Sequence, residues 1–411
     1  MGGSSGHDDT PCQAWHCEQN CHANQPFDWI FGGVMTFSTH LDTLNWDEIC
    51  LSIYGKTDHD VKIALTKDKP DMNDLMALLS PAASQYLEAM AVKAQKITRQ
   101  RFGNTVGLFI PMYLSNLCAN ECTYCGFSLS NPMARKTLTH DEIVAECQTI
   151  NRLGFSQVLL VTGEYPSQVG MPYFKKHIKT VREHVSSLLM EVQPLSTDDY
   201  AQLKSWGLDG VMLYQETYHK PSYAYHHLKG KKRNFNWRLD APDRIGQAKI
   251  DKIGLGVLVG LSDNFRTDCY MMAEHLRYLQ KTHWQSRFSV AVPRLRPCAG
   301  GISPHCTMSD KELVQVLCAL RLFAPEVDIV LSTRESPTFR DHVIPLMVTQ
   351  MSAYSQTKPG GYSAADNQTA DDTLEQFSID DDRHPKAVVR KLTEQGLQPI
   401  WKDWDSYLGR E

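Results

Sequence analysis

Short apolar runs that alternate with helical patterns are the feature that most restricts how this chain can fold. Eight runs have the length and aliphatic content of buried strands. They lie at residues 105–114, 156–163, 187–194, 210–217, 252–260, 287–295, 327–335 and 349–355. Runs of this kind between helices predict parallel strands that are covered by helices on the outside. Eight such units over roughly 250 residues predict a (β/α)8 TIM-type barrel, and a doubly wound open sheet is the alternative.

The rest of the chain divides around this barrel. Residues 1–40 are interpreted as a tag or disordered extension, because they open with "MGGSSG" and show no helical or strand periodicity. Residues 41–104 contain apolar residues at helical spacing and are predicted to form N-terminal helices. The barrel is assigned to residues 105–356, and residues 357–411 are predicted to form a C-terminal tail that packs on it.

The composition argues against several classes of partner. The 411 residues carry a formal net charge of −5, so a nucleic-acid surface is not expected. The basic run at 226–233 is short and isolated, and we interpret it as a solvated loop. No apolar run approaches the roughly 20 residues needed to span a bilayer, and no membrane association is expected. Twelve cysteines without an export signal predict a cytoplasmic protein with reduced thiols.

Three of these cysteines form a compact motif after the first predicted strand. Cys118, Cys122 and Cys125 have the spacing Cys-x3-Cys-x2-Cys, with Tyr124 before the third. Three thiolates can hold three corners of an iron–sulfur cube and leave the fourth iron open for another ligand. Structural zinc would require a fourth ligand, and no Cys-x2-Cys partner occurs elsewhere. A zinc-stabilised binding module is therefore the alternative outside the enzymes.

This motif resembles that of the radical S-adenosylmethionine enzymes, in which it also follows the first barrel strand. The resemblance implies a 4Fe–4S cluster and S-adenosylmethionine as cofactors, which together generate a 5′-deoxyadenosyl radical. It also implies contacts to the methionyl amino group, the carboxylate, the ribose and the adenine. The residues assigned to cofactor binding are Tyr124, Gly163, Glu164, Glu191, Gln193, Arg238 and Gly260.

Longer segments narrow the resemblance to one branch of that family. "SNLCANECTYCGFS", "LDGVMLYQETYH", "PRLRPCAGG" and "QGLQPIWKDWDSYLGR" resemble the tyrosine lyases of thiamine thiazole formation. The resemblance implies cleavage of the Cα–Cβ bond of L-tyrosine to 2-iminoacetate and 4-cresol. It also implies a thiazole synthase partner and an electron donor such as flavodoxin or ferredoxin.

Two alternatives within the superfamily remain open at this stage. The tyrosine lyase of hydrogenase maturation adds a second cluster held by C-terminal cysteines, whereas the last cysteine here is Cys318. A tryptophan lyase would share the barrel and the cysteine motif.

Candidate substrate residues lie where the predicted strands end. A substrate carboxylate requires a guanidinium group, for which Arg294, Arg296 and Arg334 are equivalent candidates. The phenol requires a polar partner, and Glu216 or His219 suits that role. Ser332 is the candidate for a contact to the substrate amino group or carboxylate.

Overall fold

The computed structural model describes Met1, residues 36–365 and residues 374–401 of the chain. The unit that contains the barrel begins at Thr36. Phe37, at the start of the first helix, is fully buried. The predicted extension therefore ends a few residues before residue 40. Most of that extension, including its three cysteines, lies outside the described residues.

Eight parallel strands form a closed barrel, which confirms the predicted (β/α)8 fold. The strands are β1 (Thr105–Ser115), β3 (Gln157–Thr162), β4 (Ser187–Glu191), β5 (Gly210–Met212), β7 (Lys252–Gly256), β8 (Arg287–Ala291), β9 (Asp328–Leu331) and β10 (Gln350–Ser352). Pairing of β10 with β1, in which Leu108 lies opposite Met351, closes the barrel and excludes the open sheet. Most strands are shorter than predicted, because their carboxyl ends turn into the loops at the mouth.

Helices follow the strands and cover the barrel. They are α6 (His140–Arg152), α7 (Met171–His184), α8 (Thr197–Ser205), α9 (Lys220–His226), α10 (Phe235–Leu239), α11 (Ala241–Gln247), α12 (Phe265–Thr282), α13 (Asp310–Phe323) and α14 (Pro337–Met347). The sequence-predicted capping box at Thr139 and Glu142 is confirmed at the start of α6. It satisfies two backbone N–H groups of the first turn and so fixes where the chain re-enters the helical layer.

The N-terminal segment is helical and packs on the outside of the barrel. Its helices are α1 (Phe37–Leu41), α2 (Trp46–Tyr54), α3 (Asp58–Thr66), α4 (Met72–Leu79) and α5 (Leu87–Phe102), with a 3₁₀ helix at Pro81–Tyr86. Buried Gln315 of α13 donates hydrogen bonds to the backbone carbonyls of Leu78 and Ser80. This contact ties the segment to the barrel helices, because the carbonyls at the end of α4 have no partner within their own helix.

The C-terminal segment adds helices α15 (Gly361–Ala365) and α16 (Pro385–Glu394) and strand β11 (Gln398–Ile400). Strand β11 pairs in parallel with the start of β1. A second small sheet lies at the mouth, where β2 (Glu121–Cys122) pairs antiparallel with β6 (His227–Lys229). The tail is thus integrated into the sheet.

Residues 374–384, named the strap here, cross the mouth of the barrel. The backbone N–H of Gln376 donates to the Thr357 carbonyl, and those of Asp380 and Asp381 donate to the Thr333 carbonyl. The Asp381 carboxylate also forms an ion pair with Arg340 of α14, and both side chains are completely buried. The strap is therefore fixed by main-chain and charged contacts at one end of the site. No described helix is long and apolar enough to cross a membrane.

Asp381→Ala should destabilise the protein far more than Asp380→Ala. Removal of Asp381 leaves Arg340 charged in a buried position, which costs about 3–5 kcal/mol. Asp380 pairs with Arg296 at a site where the carboxylate is 38% exposed, and such pairs contribute roughly 0–1 kcal/mol. Urea unfolding of the two variants measures the difference. Equal losses would contradict the role assigned to the buried pair.

Candidate active site

One pocket at the carboxyl ends of the strands receives side chains from much of the barrel and from the strap. Its lining includes the three cysteines of the motif, acids and bases from the strand ends, and Gln376 and Phe377 of the strap. In a (β/α)8 barrel this end carries the active site. The chemistry of the chain is therefore concentrated here.

The cysteine loop is held against the end of β3 by short main-chain contacts. The Gly163 N–H donates to the Ser115 carbonyl at 3.0 Å, and the Ala119 N–H donates to the Glu164 carbonyl at 2.9 Å. A Cβ atom on Gly163 would overlap the Leu117 carbonyl oxygen. Only glycine allows the two loops to approach this closely.

The three thiols share the pocket without forming a site for a single ion. A tetrahedral zinc site, with Zn–S bonds of about 2.3 Å, brings its sulfurs to within about 4 Å of one another. The described residues contain no group of three or more His, Cys, Asp or Glu side chains placed to hold one metal ion. Burial raises the pKa of Cys118, Cys122 and Cys125. The donors therefore suit a larger cationic group that stabilises thiolates at separate corners.

Next to the thiols, two acids and two bases form a buried network. Arg238 donates to Glu164 at 3.1 Å and lies 3.5 Å from Glu216. Lys232 donates to Glu216 at 2.7 Å. Asn120, within the cysteine loop, donates to the other oxygen of Glu164 at 2.8 Å. The network thus connects the cysteine loop to the loop after β3 and to the long connection between β5 and β7.

Glu216 is held in this network by its backbone and by its charge. Its φ angle of 73° is in the left-handed region, which is unusual for a non-glycine residue. Burial alone would raise the pKa of Glu216, but the charges of Lys232 and Arg238 outweigh it and lower the pKa. Glu216 is therefore ionised, and its carboxylate interacts with both Lys232 and Arg238.

The interpretation of residues 226–233 as a solvated loop is wrong for several of its residues, including Lys232. His226 and His227 are fully buried, and the Lys232 side chain is only 13% exposed. His227 Nε2 is 2.7 Å from the Tyr124 hydroxyl oxygen, and the Lys232 ammonium lies over the Tyr124 ring. Local sequence does not distinguish Lys232 from its exposed neighbour Lys231, so only the fold identifies it as a site residue.

The structure separates the three candidate arginines. Arg294 pairs with Glu335 and Asp310, and Arg296 pairs with Asp380. Neither of these two arginines lines the pocket.

Arg334 does line the pocket, and its guanidinium carbon lies 3.5 Å from the centre of the Phe377 ring. Burial lowers its pKa. Within the described residues no carboxylate forms an ion pair with its guanidinium group. Arg334 is thus the arginine left able to bind an added anion.

Three other predicted residues do not line the pocket. The His219 ring stacks on Trp46, and its Nδ1 is 2.8 Å from the Ser222 hydroxyl, because the chain turns outward into α9. Gln193 donates to the Val169 carbonyl beneath the pocket surface. Gly260 lies beyond the end of β7, against Pro304. We therefore withdraw all three from the site.

The remaining predicted residues lie where the sequence suggested. Tyr124, Gly163, Glu164, Arg238 and the three cysteines line the pocket together with Glu191 and Ser332. Burial, reinforced by the negative charge of Glu216, raises the pKa of Glu191 to about 7. Glu191 and Arg334 are thus two ionisable groups of the pocket that lie outside the buried network.

Comparison with known proteins agrees with this geometry. The Radical SAM superfamily matches residues 112–274, and the Biotin and Thiamin Synthesis associated domain matches residues 291–398. The 2-iminoacetate synthases of Salmonella typhimurium and Escherichia coli are 60% and 61% identical to this chain. Each alignment covers 91% of this chain and 98% of the relative.

The chain belongs to the 2-iminoacetate synthase family. Membership confirms the resemblance read from the cysteine motif and the longer segments. The crystal structure of HydG, a maturase of the FeFe-hydrogenase, is also similar, with a TM-score of 0.84 and 30% identity. That match covers 90% of this chain and 83% of HydG. The identity to HydG is half of that to the 2-iminoacetate synthases, so the hydrogenase-maturation alternative is less well supported.

The raised pKa of Glu191 predicts how the stability of the protein depends on pH. Its pKa of about 7 in the folded protein is above the ordinary value of 4.5, so folding takes up a proton between these values. The stability that this group contributes is present at low pH and is lost as the pH rises through about 7. Glu191→Gln lacks this titrating group. As the pH rises from about 5 to about 8, its unfolding free energy should therefore increase by up to about 3 kcal/mol relative to that of wild type.

Urea unfolding of the ligand-free protein at both pH values measures this gain. Glu183→Gln, on the exposed face of α7, changes the same atoms and is the matched control. A difference between Glu191→Gln and wild type that does not change with pH would show that Glu191 is ionised in the folded protein at neutral pH.

Proposed function

We propose that the enzyme cleaves the Cα–Cβ bond of L-tyrosine to 2-iminoacetate and 4-cresol and so supplies the thiazole moiety of thiamine. The identity of about 60% to 2-iminoacetate synthases over nearly their full length carries this proposal. The pocket supports it, because the same cavity is lined by three thiols and by Arg334, which forms an ion pair with no carboxylate of the described residues. An anaerobic assay with dithionite, S-adenosylmethionine and L-tyrosine, scored for 4-cresol and 5′-deoxyadenosine, tests it.

The cofactors of this function would bind at the thiols and the buried network. Cys118, Cys122 and Cys125 would hold a 4Fe–4S cluster, and S-adenosylmethionine would bind beside it. When bound, this pair supplies the 5′-deoxyadenosyl radical that removes a hydrogen atom from the substrate. The fit rests on three thiols whose pKa values are raised by their partial or complete burial and on a cavity that they share with charged side chains.

The buried network gives the cofactor end of the pocket charges of both signs. Glu164 offers a carboxylate to the methionyl amino group, and Arg238 and Lys232 offer cations to the methionyl carboxylate. Glu216 keeps the two cations in place, since it accepts from Lys232 and lies beside Arg238. We therefore reassign Glu216 from the substrate phenol to the cofactor. Glu191 would reach the ribose.

The substrate end is assigned to the other side of the pocket. Arg334 would bind the tyrosine carboxylate, because its guanidinium is oriented by Phe377 and has no competing acid in the described residues. Ser332 precedes it at the end of β9 and would contact the substrate amino group or carboxylate.

Two protein partners complete the proposal. A flavodoxin or ferredoxin would donate the electron, and a thiazole synthase would receive the 2-iminoacetate. Iron analysis separates the rival branch, because about four irons per chain fit one cluster and about eight would indicate a second. L-Tryptophan offered in place of L-tyrosine tests the other alternative. Turnover of tryptophan alone would overturn the substrate assignment.

Single replacement of Cys118, Cys122 or Cys125 by alanine should abolish cluster assembly and 4-cresol release, because each thiolate holds one corner of the cube. Iron analysis after anaerobic reconstitution and the lyase assay measure the two effects. Combined replacement of Cys12, Cys17 and Cys21 by alanine is the control and should leave both unchanged. Full 4-cresol release by any of the three single variants would remove that residue from the role.

Arg334→Met should raise the KM for L-tyrosine by roughly 10- to 100-fold, the loss expected for a hydrogen bond between charged groups. Reductive cleavage of S-adenosylmethionine should be less affected, so 5′-deoxyadenosine should exceed 4-cresol. Arg296→Met, outside the pocket, is the matched control and should leave the KM unchanged. Equal losses of both products with an unchanged KM would place Arg334 at the cofactor instead.

A further inference from the structure

The strap reaches the third cysteine of the motif with a side-chain amide. Gln376 Nε2 lies 3.5 Å from Cys125 Sγ, within hydrogen-bond distance for sulfur. The Tyr113 hydroxyl donates to Gln376 Oε1 at 2.7 Å. Gln376 therefore bridges an aromatic residue of β1 and a thiol of the cysteine loop, although it lies about 250 residues later in the sequence.

Main-chain contacts keep the amide in this position. The Gly126 N–H donates to the Gln376 carbonyl at 3.0 Å, and the Gln376 N–H donates to the Thr357 carbonyl at 3.0 Å. A Cβ atom on Gly126 would lie 2.6 Å from the Gln376 carbonyl oxygen, so only glycine after Cys125 allows this approach. Main-chain hydrogen bonds thus hold the backbone on both sides of the contact, independently of the Gln376 side chain.

The direction of the amide follows from its two neighbours. A thiolate bound to iron has no hydrogen to donate, so an N–H group facing it is favourable and a carbonyl oxygen is not. Burial raises the pKa of Tyr113, which keeps its hydroxyl protonated and able to donate to Oε1. Both contacts select the same orientation, with Nε2 towards the sulfur.

We propose that Gln376 is a positioning residue that raises the reduction potential of the cluster through an N–H···S hydrogen bond to Cys125. The inference rests on the proposed function, because it requires a cluster at the three cysteines. Reduction adds negative charge to the cluster and its sulfur ligands, and a hydrogen-bond donor at a ligand sulfur stabilises that charge. The strap thereby controls how readily the cluster accepts its electron.

Gln376→Met tests the hydrogen bond, because methionine has a similar length but no N–H group. The variant should retain about four irons per chain, and its equilibrium constant for cluster reduction should fall roughly tenfold. A tenfold change in a one-electron couple is 59 mV. A redox titration followed by electron paramagnetic resonance measures the midpoint potential without any substrate. Gln395→Met, on the C-cap of α16, is the matched control and should leave the potential unchanged.

A variant with full iron content and an unchanged midpoint potential would overturn the proposal. If Gln376→Met does not retain iron, Gln376→Leu decides, since leucine also lacks the N–H group and is too short to crowd the cysteine loop. A shift to lower potential in Gln376→Leu supports the proposal, and an unchanged potential refutes it. Failure of the wild-type protein to assemble a cluster would instead refute the proposed function.

Discussion

Closure of the barrel by the pairing of β10 with β1 is the constraint on which the site depends. The cysteine loop follows the first strand, whereas Arg334 follows the ninth, and the strap comes later still. In an open sheet the two ends would be the most distant parts of the molecule. Closure places Leu108 opposite Met351, and the loops beyond these strands then face one another across a single mouth.

Within that mouth, charge is arranged so that most of it is already compensated. Glu164 and Glu216 neutralise Arg238 and Lys232 in a buried network, and isolated charges at such depth would be costly. Arg294 and Arg296 are also paired with acids, outside the pocket. The compensated groups form a rigid frame, and Arg334 stands out because no described carboxylate pairs with it.

Sequence patterns predicted the architecture well and the site in part. The eight strands and the cysteine motif depend on local apolar runs and on spacing, both of which can be read from neighbouring residues. The three arginines could not be ranked, because their difference depends on acids such as Glu335 and Asp380 that pack against them only in the fold. His219 was misassigned and Lys232 was missed for the same reason, since burial of a polar side chain in a loop follows from tertiary packing.

The pairing of β11 with the start of β1 affects how the chain is made. Thr105 lies opposite Gln398, so the first strand finds this neighbour only after about 290 further residues have been synthesised. Contacts between such distant residues carry a large loop-closure entropy and slow folding. Until β11 leaves the ribosome, one edge of β1 near its start is uncovered and able to pair with other chains. We therefore expect nascent chains, and chains truncated before Gln398, to depend on chaperones while β11 is missing.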